Sequence, residues 1–214
     1  MVDRLARLQL ARAAREFAAR SNSSLSGLVL LTDDERMTDP LASISALPRG
    51  SLVVLRARDP ARRTALARSI SRIARTRSLR WVIADDPALA AKLGAHGAHF
   101  PARKLALAAR WRVRRPDWML TCAAHSLSAC ARAARIGADA VFLAPIFATM
   151  SHPSRSYIGP LRVRLIATRL SVPIYALGGV DARNAKRLAG SRLAGVAAIG
   201  ALACVEFYGA VRSN

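Results

Sequence analysis

The feature that most constrains this chain is an alternation of short apolar runs with longer amphipathic ones, which continues from Ser26 almost to the C-terminus. Strand-type runs are expected at 28–32, 51–56, 79–83, 98–100, 118–123, 140–144, 172–177 and 196–199. Helical stretches are expected at 40–47, 60–77, 87–93, from Pro101 to about Arg110, from a Ser126 N-cap to Ile136, at 161–170 and at 182–188, followed by a terminal helix. Pro60 suits a first helical turn, and Gly94 and Gly137 suit helix ends. Strands separated by helices select an α/β fold with parallel strands, because a parallel neighbour needs a crossover. Eight such units in about 190 residues favour a small (β/α)8 TIM barrel. An open doubly wound sheet is the competing architecture, but no GxGxxG follows the first strand and no P-loop occurs.

The chain has 214 residues, 52% of them hydrophobic, which suffices for one large buried core and excludes disorder. Residues 1–24 read as an N-terminal arm or surface helix, with Leu5, Leu8, Ala11 and Phe17 near helical spacing, and 25–214 as the barrel. No uncharged run reaches the ~18 residues of a membrane span, so a cytoplasmic protein without a membrane partner is expected. Three cysteines without CxxC spacing fit reduced thiols and argue against structural zinc.

The net charge of +21 suggests nucleic acid at first sight. However, the cations are nearly all arginine and spread along the chain, with one short dense patch, Arg110 to Arg115. That distribution points to a solvated arginine-rich surface, with a phosphorylated small molecule as the partner and no nucleic acid.

Functional residues of such a barrel lie at strand C-termini. Those positions hold Thr32-Asp33-Asp34, Arg56-Ala57-Arg58, Asp85-Asp86, His99, His125, Thr149 to His152, Gly178-Gly179 and Ile199-Gly200. Gly178-Gly179 and Gly200 allow close backbone approach, and consecutive amides at a helix start suit phosphate. His96 and His99 form an HxxH whose strand context directs the rings apart, against a zinc site.

Several strings resemble the thiamine-phosphate synthase and thiazole tautomerase family. AAHSLSACARAARIGADAVFLAPIF (123–147) is similar to its run of His-Ser, helix, Gly-Ala-Asp, strand and Gly-Pro-Ile-Phe; PIYALGGV (173–180) and AGVAAIGAL (194–202) resemble its phosphate-binding strands. LGAHGAHF (93–100), LTDD (31–34) and LRAR (55–58) resemble earlier strand ends more loosely. The resemblance implies coupling of a hydroxymethylpyrimidine diphosphate to a thiazole phosphate, with release of pyrophosphate and with Mg2+. By the same resemblance Arg56, Arg58 and His152 hold the diphosphate and pyrimidine, and Asp85 is a metal ligand. Thr149, Ser151, Gly178, Gly179, Ile199 and Gly200 hold the thiazole phosphate.

The chain also departs from the family pattern. Lys104 stands at the second metal aspartate, His152 at a diphosphate lysine, Ala123 at a serine and Ala84 at an asparagine. A charge reversal at position 104 should weaken Mg2+. The alternatives are a metal-independent thiazole phosphate tautomerase using His125, which matches that branch's acid–base residue, and an inactive barrel binding phosphates or RNA. On this reading the chain is a divergent paralogue.

Overall fold

In the computed structural model, which describes residues 4–21, 23–37, 39–149 and 156–204, every expected apolar run becomes a strand. The strands are β1 (Leu28–Leu31), β2 (Leu52–Leu55), β3 (Arg80–Ala84), β4 (Gly97–Phe100), β5 (Met119–Ala124), β6 (Ala140–Leu143), β7 (Ile174–Leu177) and β8 (Gly195–Ala198). Each pairs in parallel with its sequence neighbour, and β8 pairs with β1 (Val29 opposite Ala197), so the sheet closes into a barrel. The strands read as continuous apolar runs because both faces are covered. One set of alternate residues, including Val29, Leu31, Val54, Val82, Met119, Phe142 and Tyr175, fills the interior. The other set, including Leu30, Val53, Ile83, Leu120, Val141 and Val196, packs against the helices.

The crossovers carry α2 (Pro40–Ser45), α3 (Pro60–Arg77), α4 (Pro87–Lys92), α5 (Leu105–Arg114), α6 (Leu127–Arg135) and α7 (Pro160–Arg169). Four of them start on a side-chain cap: Asp39, Asp59, Asp86 and Ser126 accept from amides inside the first turn. The three aspartate caps are each followed by proline, which has no N–H to leave unsatisfied. Preceding the barrel, α1 (Arg4–Ser21) lies across β8 and β1 and buries Leu10, Ala11, Ala14 and Phe17. Gly27 permits this approach, since a Cβ there would stand 2.2 Å from the Ala14 carbonyl oxygen. Leu5 and Leu8, which share the helical spacing of Ala11 and Phe17, are more than half exposed; at ~100° per residue Leu8 falls about 160° round the helix from Leu10.

One further expectation changes. The segment after β7 is a 3-10 turn at Ala185–Leu188 rather than a helix from Ala182. The Asp181 carboxylate accepts from the amides of Arg183 and Asn184, while Asn184 accepts from the Asp181 amide and donates to the Gly179 carbonyl. These local bonds compete with helical ones and delay the helix. After β8 comes a 3-10 turn, Gly200–Leu202, and the expected terminal helix lies outside the described residues. Within the dense basic patch, Arg112 pairs with Asp139 and donates to the carbonyls of Pro116, Trp118 and Gly137, and Arg115 pairs with Asp117 over the Trp118 ring. Burial pushes the Cys122 thiol up to about 12 and that of Cys130 to about 11, which makes both poor nucleophiles. No helix among the described residues is long and apolar enough to cross a membrane.

Candidate active site

Because all eight strands run parallel, their C-terminal ends share one rim. Arg56, Asp85, His125, Gly178, Gly179, Ile199 and Gly200 all lie just beyond those ends, and Thr149, farther along the loop after β6, comes against Gly178. Ser151 and His152 lie outside the described residues.

On the β1–β4 side the rim is a lattice of ion pairs. The Thr32 hydroxyl ties the first two strand ends together, accepting from the Arg56 amide (2.8 Å) and donating to the Arg56 carbonyl (2.9 Å). Asp33 is buried and pairs with the Arg56 guanidinium and with Arg36. Burial alone would raise the Asp33 carboxyl, but the two guanidiniums outweigh it and hold the group below the usual range. Arg58 pairs with Glu35 at 2.8 Å, and its amide donates to Asp34. Both arginines matched to the diphosphate therefore already face carboxylates of the β1 loop.

Asp85 has left-handed backbone (φ 61°), uncommon for a residue with a side chain, and its amide donates to the His99 carbonyl. Its carboxylate meets Lys104 Nζ at 2.6 Å through Oδ1 and Arg103 at 3.2 Å through Oδ2. Lys104 and Arg103 come from a 3-10 turn, Ala102–Lys104, just after β4. Arg103 escaped the sequence reading; the only signal for it is its place beside Lys104.

Beneath this lattice, His99 occupies the barrel interior. Its Nδ1 is 3.0 Å from the Thr121 hydroxyl, and its ring stacks on Phe142 at 5.0 Å. Burial, reinforced by Arg56 and opposed by Asp85, pushes the imidazole down to about 4, so the ring is neutral at physiological pH. In the sequence His99 is a polar residue at a strand end and half of an HxxH. The other half, His96, accepts the Trp81 amide through Nδ1, before β4 begins.

On the opposite arc, exposed His125 follows β5, and its Nδ1 lies 2.7 Å from the Ala144 carbonyl at the end of β6. A carbonyl can only accept, so Nδ1 donates this bond and Nε2 is the ring nitrogen left outside it. The adjacent Ser126 is occupied as the α6 cap. Between β6 and β7, the Ile146 and Phe147 amides donate to the Gly178 carbonyl. Gly178 and Gly179 are both left-handed (φ 88° and 70°), and a Cβ on Gly179 would stand 2.5 Å from the Ala148 oxygen. The glycine pair is thus required by the close passage of the β6 loop, whatever else it binds. The Thr149 methyl lies against the same turn. Among the described residues, the N–H groups of Gly178, Gly179, Ile199 and Gly200 find no acceptor outside the strand ladder. They belong to turns, not to helix starts, so an anion there would meet individual amides without a helix dipole.

Comparisons with known proteins agree with this architecture. The family profile described as thiamine monophosphate synthase matches residues 28–202. Thiamine-phosphate synthase of Geobacillus kaustophilus is 34% identical over 142 residues, covering 65% of this chain and 63% of that protein. That of Chlorobium luteolum is 29% identical over 188 residues, covering 84% and 86%. Matches to these and another curated relative span from 50% to 86% of those proteins' lengths. Thiamine phosphate pyrophosphorylase from Pyrococcus furiosus superposes with a TM-score of 0.70 at 20% identity, covering 80% of this chain and 84% of that one, which speaks for the fold. With strand order, rim composition and a profile match over nearly the whole barrel in agreement, the chain belongs to the thiamine monophosphate synthase family.

Proposed function

We propose that this protein is a transferase of thiamine biosynthesis that couples a hydroxymethylpyrimidine diphosphate to a thiazole phosphate and releases pyrophosphate. The observation that carries the reading is the set of amides at Gly178, Gly179, Ile199 and Gly200, which among the described residues find no acceptor outside the strand ladder and stand on neighbouring strand ends of a barrel of this family. These amides would hold the thiazole phosphate, with Thr149 beside them. The diphosphate would lie toward Arg56, Arg58 and the Ala102–Lys104 turn, where the cations are. In the coupling step the bond between the pyrimidine methylene carbon and the diphosphate oxygen breaks, the electron pair leaves with the diphosphate, and the thiazole nitrogen bonds to that carbon. The protein's task is to stabilise charge on the departing group.

For the Mg2+ that the family resemblance implies, the residues present do not fit. Both oxygens of Asp85 face cations, and the second ligand position is itself the ammonium of Lys104. A divalent ion prefers oxygen ligands and would displace two cations to reach one carboxylate. No step is therefore assigned to a metal.

A second reading rests on His125. The Nδ1 bond to the Ala144 carbonyl leaves Nε2 as the nitrogen that would move a proton between two positions of a thiazole phosphate. One assay separates the two. Given both substrates, the protein should release one pyrophosphate for each thiamine phosphate formed. Should no thiamine phosphate form while deuterium from D2O enters thiazole phosphate, and should His125→Asn slow that exchange ~100-fold or more, the tautomerase reading replaces the coupling one.

A further inference from the structure

The pairing at Asp85 is unbalanced. One carboxylate lies between two cations, Lys104 and Arg103, so the cluster carries one net positive charge when all three are ionised. The Lys104 contact is close (2.6 Å), yet the buried Oδ1 accepts no hydrogen bond of proper geometry, so the attraction is Coulombic and poorly directed. Both cations stand on one short turn and keep solvent exposure, 38% for the Lys104 side chain and 71% for Arg103, which leaves them free to turn toward the mouth. Asp85 is fixed: its backbone is held in the left-handed region and its amide is tied to the His99 carbonyl.

Position 104 is where the family resemblance puts a carboxylate, and lysine there changes the local charge by +2, the charge of the divalent ion that two aspartates would hold. We propose that the Lys104 ammonium, assisted by Arg103, replaces a divalent cation as the counter-charge of a diphosphate, and that the mouth takes this group without metal. Asp85 then acts as a resting partner, holding both cations at the strand end until the more highly charged diphosphate replaces it. This rests on reading the mouth as a diphosphate site. A purely structural ion pair explains the geometry less well, because a partly exposed pair contributes little to stability and does not require a carboxylate on left-handed backbone.

Titration calorimetry with inorganic pyrophosphate on the full chain, in excess chelator and then in Mg2+, tests the proposal without catalysis. Wild type should bind one pyrophosphate in chelator. Lys104→Met should weaken that binding about tenfold or more, the effect of one lost charge-assisted hydrogen bond. Lys104→Asp should bind only when Mg2+ is added. Arg103→Gln, at an exposed side chain, should weaken binding in the same direction and supplies the measurement if Lys104→Met does not fold. Wild-type binding that appears only with Mg2+, or unaltered affinity in the folded variants, would overturn the proposal. A protein that binds pyrophosphate in chelator but couples no substrates would keep this inference and refute the proposed reaction. One that couples substrates only with Mg2+ would do the reverse.

Discussion

His99 shows how a single side chain ties stability to the electrostatics of the mouth. It is enclosed between Thr121 and Phe142, with Arg56 and Asp85 within electrostatic range. Burial, chiefly, lowers it from the ordinary 6.5 to about 4. The folded state therefore releases a proton that the unfolded chain still binds between those values. The stabilisation is complete above pH 6.5 and is lost as pH falls toward 4, amounting to about 3 kcal/mol. We expect urea denaturation of wild type to show stability falling over that window. His99→Asn keeps a partner for Thr121 but has no such titration, and should show a clearly shallower fall. Equal slopes would mean that the ring is not enclosed as described. This residue was legible in the sequence as a polar group at a strand end and as half of an HxxH, and neither reading gave its role. Its neutrality depends on the burial that closure of the barrel creates, and no local pattern encodes that.

At the scale of elements, the strands were readable because each is a short apolar run bounded by turn residues and covered on both faces. The helices with an aspartate or serine cap were equally readable. Reading failed where side chains compete with the helix, as Asp181 and Asn184 do after β7, and where apolar spacing in α1 matched two faces at once. It also missed the clamp at the N-terminal end of the barrel. There Arg112, near the end of α5, donates to Asp139 and to three carbonyls, while Asp139 also accepts the Leu120 amide at the start of β5. The fork of the guanidinium lets one side chain join the α5–β5 and α6–β6 turns. Arg112→Ala should destabilise the fold by about 2–3 kcal/mol, the scale of a lost charge-assisted network, and leave pyrophosphate affinity unchanged, since the clamp and the mouth are at opposite ends of the barrel. A change of less than 0.5 kcal/mol in urea denaturation, a threshold near the usual surface-substitution effect of roughly that size, would show that the clamp is dispensable.

Across the molecule, charge is partitioned. Among the described residues, α3, α5, α6 and α7 contain no acidic residue, whereas Asp33, Asp34, Glu35, Asp85, Asp86 and Asp181 stand on the rim loops. The excess of +21 thus lies largely on the helical surface, around a mouth whose own cations are locally paired. On the proposed reading the loop amides hold the thiazole phosphate, and the two glycine sites differ as tests of that role. Gly179 cannot be substituted informatively, because its Cβ would strike the β6 loop. Gly200 has open space around its Cβ position and no left-handed backbone, so Gly200→Asp should fold as wild type does. The most direct measurement is therefore titration of thiazole phosphate into wild type and Gly200→Asp, with melting temperatures recorded alongside. One molecule bound per chain, weakened about tenfold or more by the added carboxylate at unchanged melting temperature, is the expected result. Equal affinity in the two proteins, or no binding to wild type, would contradict the account.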